Sequence, residues 1–81
     1  MDLDKEFAKL GYKTKQTNEW NIKYVKYLGK NQFYQECIVI DFRIHGDNEF
    51  YKYDRTLKAV PITNEERKLI NKKAEELGWD E

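Results

Sequence analysis

Catalysis needs reactive groups that meet, and this sequence offers few. It holds one cysteine, Cys37, one histidine, His45, and no serine. Serine-based triads are excluded. Cys37 and His45 are the only thiol pair, and along one extended strand they stand roughly 26 Å apart at about 3.3 Å per residue. They meet only between chains. Cys37 lies in the apolar run Cys37-Ile38-Val39-Ile40 and reads as a small core residue.

Metal chemistry is equally short of ligands. One His and one Cys do not furnish a structural zinc site. Asp47-Asn48-Glu49 lacks the ligand spacing of a calcium loop. Glu36, Asp41 and Glu49-Phe50-Tyr51-Lys52 loosely match the acid-and-lysine cluster of metal-dependent nucleases. The lysine is one residue out of place, and strand parity sends Glu36 and Asp41 to opposite faces. Glycines 11, 29, 46 and 78 stand apart, so no glycine-rich phosphate loop exists. No catalytic residue, metal or cofactor is expected.

Two charged stretches remain as candidate surfaces. The first interleaves lysine with tyrosine: Lys13, Lys15, Lys23, Tyr24, Lys26, Tyr27 and Lys30. Lysines neutralise phosphates, and a tyrosine ring stacks on an unpaired base for about 1–3 kcal/mol. The same residues also serve a plain structural role, with tyrosines in the core and lysines guarding strand edges against aggregation. The second stretch is Glu75, Glu76, Asp80 and Glu81, at the negative end of a predicted helix. Acid there is unfavourable by at most about 0.3–1 kcal/mol per charge, which fits a partner-facing surface or an exposed face where salt screens the penalty.

Two helices and a sheet must position these groups. Leu3, Phe7 and Leu10 form one apolar stripe, which predicts a helix from about Leu3 to Leu10, capped by Asp2 and stopped by Gly11 with Tyr12 folded back on Phe7. Thr63-Asn64-Glu65-Glu66 is a capping box that opens a second helix, with Leu69, Ile70, Ala74 and Leu77 as its buried stripe and Gly78-Trp79 as its stop. Between them, extended segments are predicted at 12–16, 20–27, 34–44 and 49–54, with a weaker one at 57–62. Turns fall at Thr17-Asn18-Glu19, Gly29-Lys30-Asn31 and His45-Gly46-Asp47-Asn48. The 34–44 segment carries apolar residues on both parities, as a central strand does. The expected fold is α+β: an antiparallel β-meander of three to five strands, flanked by an N-terminal and a C-terminal helix packed on one face.

With 81 residues the chain is a single domain, built around six Tyr, four Phe and two Trp. Fifteen acidic and fifteen basic residues give zero formal net charge, so no bulk polyelectrolyte partner is implied and self-association through a sheet edge is compatible. The signs segregate, with basic residues concentrated at 11–30 and acidic ones at 31–54. A single cysteine and no apolar run near membrane-spanning length predict a cytoplasmic protein without membrane contact.

Leu10-Gly11-Tyr12, Lys52-Tyr53-Asp54, Ile62-Thr63-x-Glu65-Glu66 and Ile70-Asn71-Lys72-Lys73-x-Glu75-Glu76-Leu77-Gly78-Trp79 together resemble a group of small proteins encoded by phages and prophages of Gram-positive (Firmicutes) bacteria. The C-terminal phrase is the most specific part, and the likeness is loose between residues 28 and 50. The resemblance carries over no catalytic residues. It implies a phage-borne accessory protein in the host cytoplasm, either an inhibitor of a host defence or host enzyme, or a nucleic-acid-associated early protein. A small sheet with an open edge and many tyrosines suits protein recognition. The expected function is therefore a non-enzymatic module that binds a host or phage protein, with nucleic-acid binding through the Lys/Tyr stretch as the alternative.

Overall fold

A computed structural model describes residues 2–29, 36–44 and 48–79. The elements are α1 (Leu3–Lys9), β1 (Lys13–Thr17), β2 (Asn21–Tyr27), β3 (Cys37–Arg43), β4 (Glu49–Asp54) and α2 (Asn64–Glu76). The strands form one antiparallel sheet in the order β1-β2-β3-β4. The expected α+β meander with a helix at either end is therefore the fold. The predicted glycine turns at residues 29–31 and 45–48 lie largely outside the described residues.

Both helices stop by the same device. Gly11 (φ 96°) and Gly78 (φ 79°) take the left-handed conformation that glycine adopts without strain. The Tyr12 amide then donates to the Phe7 carbonyl, and the Trp79 amide to that of Ala74, each closing a Schellman motif. At the other ends, Asp2 accepts from the Asp4 and Lys5 amides. Thr63 and Glu66 exchange reciprocal capping-box bonds. A seven-residue helix is not stable alone, so α1 exists because it docks.

Strand register decides which side chains it docks on. Ile22 faces Phe42, which faces Phe50; Tyr24 faces Ile40, which faces Lys52. Facing residues share a side of the sheet, so this set lies beneath the helices and meets Leu3, Phe7, Leu69 and Ile70 in one core. Phe7 stacks on Tyr24, with ring centroids 4.1 Å apart, and meets Tyr12 and Phe42 edge-on at 6.2 and 6.4 Å. Trp79 leans on Phe42 at 6.0 Å, which ties the end of α2 to β3.

A buried polar cluster closes this side. Glu66 accepts from the Tyr12 hydroxyl at 2.7 Å and from Lys52 Nζ, while Lys52 also donates to the Pro61 carbonyl at 2.7 Å. Burial pushes the Glu66 carboxyl up, but bonds from Lys52, Tyr12 and the Thr63 amide outweigh it and hold the carboxyl below its usual range. A depressed carboxyl pKa contributes stability that is present above the unfolded pKa and lost as pH falls through the folded one. Urea midpoints should therefore drop between pH 5 and pH 3, and should drop less in Glu66→Gln. An equal drop in both proteins would remove Glu66 as a cause.

Beyond β4 the chain folds straight back. The Leu57 amide donates to the Asp54 carbonyl, the Asp54 amide to the Lys58 carbonyl and the Val60 amide to that of Lys52, and Tyr53 bridges Ala59. The segment predicted as extended from Leu57 therefore begins instead with Leu57 in the left-handed region, φ 67°. That conformation costs a residue with a Cβ roughly 1–2 kcal/mol. It is enforced by Asp54, whose Oδ1 accepts from the Thr56 amide, the Thr56 hydroxyl and the Lys58 amide.

Candidate binding face

The helices cover one side of the sheet. The opposite side carries Lys23, Val25 and Tyr27 from β2, Cys37, Val39, Asp41 and Arg43 from β3, and Glu49, Tyr51 and Tyr53 from β4. Lys13 pairs with Val25 and joins them. The register shifts between Thr14 and Gln16, a bulge of the kind that re-aims side chains. Lys15 there sets its ammonium 5.9 Å from the Tyr27 ring centroid.

The predicted Lys/Tyr surface is thus divided by the sheet. Lys13, Lys15, Lys23 and Tyr27 lie on the helix-free face, and Tyr27 is 40% exposed. Tyr24 is not a surface residue: it is 0% exposed, stacked on Phe7, and its hydroxyl donates to Asp4 Oδ1 at 2.6 Å. Strand parity causes this correction, since Tyr24 shares a side with Ile22. Burial first, then Asp4, raises its phenol pKa far above the ordinary value. Lys26 also turns to the helix side, where it crosses Gly11 and sets its ammonium 5.6 Å from the Tyr12 ring centroid. Lys30 lies outside the described residues.

The same face holds groups that lysine spacing does not reveal. Arg43 Nε donates to Asp41 Oδ2 at 3.2 Å, and its guanidinium lies 5.1 Å from the Tyr51 ring centroid. The Tyr53 hydroxyl donates to the same Asp41 oxygen at 3.0 Å, and the Tyr51 hydroxyl donates to Glu49. Asp41 is 0% exposed, and its second oxygen, Oδ1, has no hydrogen-bond partner among the described residues. Burial, then the bond to Asp41, pushes the Tyr53 phenol up to about 12. Two tyrosines, Tyr51 and Tyr53, and an arginine thus surround a buried carboxylate in the middle of an open sheet face. Alternation in Glu49–Asp54 gives the shared side of Tyr51 and Tyr53, and Arg43 shares the parity of Val39. Those were the available signals.

The acidic candidate surface is weaker. Glu75 is exposed, and Glu76 pairs with Lys73 at 2.6 Å, which offsets the cost of acid at the end of α2. Asp80 and Glu81 lie outside the described residues.

Cys37 is half-buried rather than part of the core cluster. It lines a groove of about 440 Å³ with Leu28, Ile38, Val60 and the Asp54–Thr56 turn. His45 is not among the described residues. Those residues contain no group of three His, Cys, Asp or Glu placed to hold a metal, and no helix in them is long and apolar enough to cross a membrane. A second, smaller pocket of about 270 Å³ sits on the helix-free face beside Tyr51 and Tyr53. No known protein family, curated protein or solved structure matches the chain.

Proposed function

We propose that the protein is a non-enzymatic binding module that holds a partner protein on the helix-free face of its sheet, as a phage or prophage accessory protein in the cytoplasm of a bacterial host. The observation that supports this most is the gathering of Tyr27, Tyr51, Tyr53 and Arg43 on one uncovered face. Tyrosine and arginine are the residue types enriched where proteins grip one another. Inhibition of a host defence or host enzyme is the role such a grip serves. A different protein fits better than a second copy of this chain. The open edge strand β1 carries Lys13 and Lys15, which repel their counterparts when β1 pairs with itself, and part of the β4 edge is covered by residues 58–60.

The test is capture from nuclease-treated host lysate, followed by identification and titration of the retained protein. Tyr27→Ala/Tyr51→Ala should weaken a specific partner at least tenfold while leaving the thermal midpoint within a few degrees. Unchanged affinity in that variant would remove the face from the mechanism.

A second reading is favoured by one observation, that Lys13, Lys15, Lys23 and Tyr27 share the face. A single strand of nucleic acid laid over it would meet both cations and stacking rings. In that case a labelled dT20 should be retained at low salt, with log affinity falling by about 0.7 per contacted phosphate for each tenfold rise in salt. Lys13→Glu/Lys15→Glu/Lys23→Glu should abolish the retention. Wild-type protein that leaves dT20 and its RNA counterpart free at low salt would end this reading.

A further inference from the structure

Four described positions have positive φ, and three of them hold glycine or asparagine: Gly11, Gly78 and Asn48. These are the types that accept such a backbone readily. The fourth is Leu57. It is also the most exposed large apolar residue among those described, at 77%. It therefore combines a disfavoured backbone with a side chain that the free protein scarcely uses. The Asp54 bonds hold the backbone, but they do not call for a leucine whose side chain lies in solvent, and that side chain points to a use outside the fold.

Its surroundings say what that use is. The turn that carries Leu57 is fixed by three hydrogen bonds to Asp54 and by the Tyr53–Ala59 bridge, so the side chain is presented on a rigid support. Beside it lies the pocket of about 270 Å³, walled by Tyr51, Tyr53, Ala59 and Arg43. Its size suits one apolar side chain. The rest of the face supplies charge. Its two carboxylates are already engaged, Asp41 by Arg43 and Tyr53, and Glu49 by Tyr51. Lys13, Lys15 and Lys23 form no ion pair among the described residues. The face thus offers cations at β1 and β2 and an apolar socket past β4. Strand spacings of about 4.8 Å put β2 roughly 10 Å and β1 roughly 14 Å from β4.

We propose that Leu57 is the apolar anchor of this face, and that its occupant is an acidic segment of a partner protein with one aliphatic or aromatic side chain seated between Leu57, Tyr51 and Tyr53. This rests on the protein-binding reading above. An aliphatic anchor favours a protein over a nucleic acid, whose bases stack on rings and whose phosphates need only charge.

The test is selection of a displayed library of random twelve-residue peptides on the immobilised full chain, read against Leu57→Asn and Lys13→Glu/Lys15→Glu/Lys23→Glu. Asparagine keeps the turn while removing the anchor. Leu57→Asn should melt at or above the wild-type temperature. The enriched peptides should pair acidic residues with a Leu, Ile, Met or Phe, and should bind wild type at least tenfold more tightly than either variant. Enriched peptides that bind Leu57→Asn as well as wild type, or that are basic, overturn the anchor and its occupant while leaving the protein-binding reading standing. A lower melting temperature in Leu57→Asn also overturns it, because Leu57 would then serve the fold. Failure to enrich any peptide overturns the anchor and its acidic occupant, while the protein-binding reading then stands or falls on capture from host lysate.

Discussion

Glu66→Ala should cost about 3–5 kcal/mol of folding stability, the range for removing one partner of a buried ion pair. The loss is large because Glu66 serves three groups at once. It neutralises Lys52, accepts from the Tyr12 hydroxyl and completes the capping box with Thr63. After truncation the Lys52 ammonium keeps, among the described residues, the Pro61 carbonyl alone, in a place with little water. A domain of this size holds roughly 4–12 kcal/mol in total, at about 0.05–0.15 kcal/mol per residue, so the variant should be close to unfolding at room temperature. Lys52→Met should cost clearly less. Its carboxylate partner keeps the Tyr12 hydroxyl and the Thr63 amide, and a methionine suits the apolar neighbours Ile40 and Phe50. Urea midpoints of the two variants measure the asymmetry. If Lys52→Met proved as costly as Glu66→Ala, the carboxylate would not be the hub of the cluster.

Phe7→Ala should be comparably damaging, at about 3–5 kcal/mol for a buried phenylalanine. Phe7 is fully buried and is the ring that Tyr12, Tyr24 and Phe42 all touch. Its helix is too short to survive by propensity, so the truncation should release α1 from the sheet as well as open a cavity. Near-ultraviolet circular dichroism should lose most of its tyrosine signal at 25 °C. The companion measurement is Tyr24→Ala against Tyr27→Ala. The former should behave like Phe7→Ala, and the latter should shift the urea midpoint by little. Equal costs at 24 and 27 would contradict the division of the two tyrosines between the faces.

The elements most visible in the sequence are those set by local chemistry. Asp2, Gly11, Thr63, Glu66 and Gly78 act through backbone groups a few residues away, and each sits where its type predicts. The alternation in β2 was visible too, and carried to its end it places Tyr24 with Ile22 in the core. Composition alone sets Tyr24 beside the lysines; strand parity separates it from Lys23. The Lys52–Glu66 pair was hidden for a different reason. Lysine and glutamate are seldom buried, and only the register of β3 against β4 brings Lys52 under α2. The open face was half visible: its lysines stand out, but Arg43 and Asp41 become neighbours of Tyr51 and Tyr53 only through long-range pairing. Leu57 gave no turn signal at all, because its backbone is dictated by Asp54 and not by leucine.

The hydrogen bond from Tyr12 to Glu66 also has a bearing on how the chain is made. It joins the residue that folds back on the end of α1 to a residue in the first turn of α2, 54 positions later. During translation the N-terminal helix emerges early and has nowhere complete to dock until α2 has left the ribosome. The meander can pair strand by strand through near neighbours, whereas closure of the core waits for α2. Until then Ile22, Tyr24, Ile40 and Phe42 lack their full helical cover. Synthesis that stalls before Thr63 leaves a nascent chain whose inner sheet face is adhesive, so α2 covers the surface on which such a chain would aggregate.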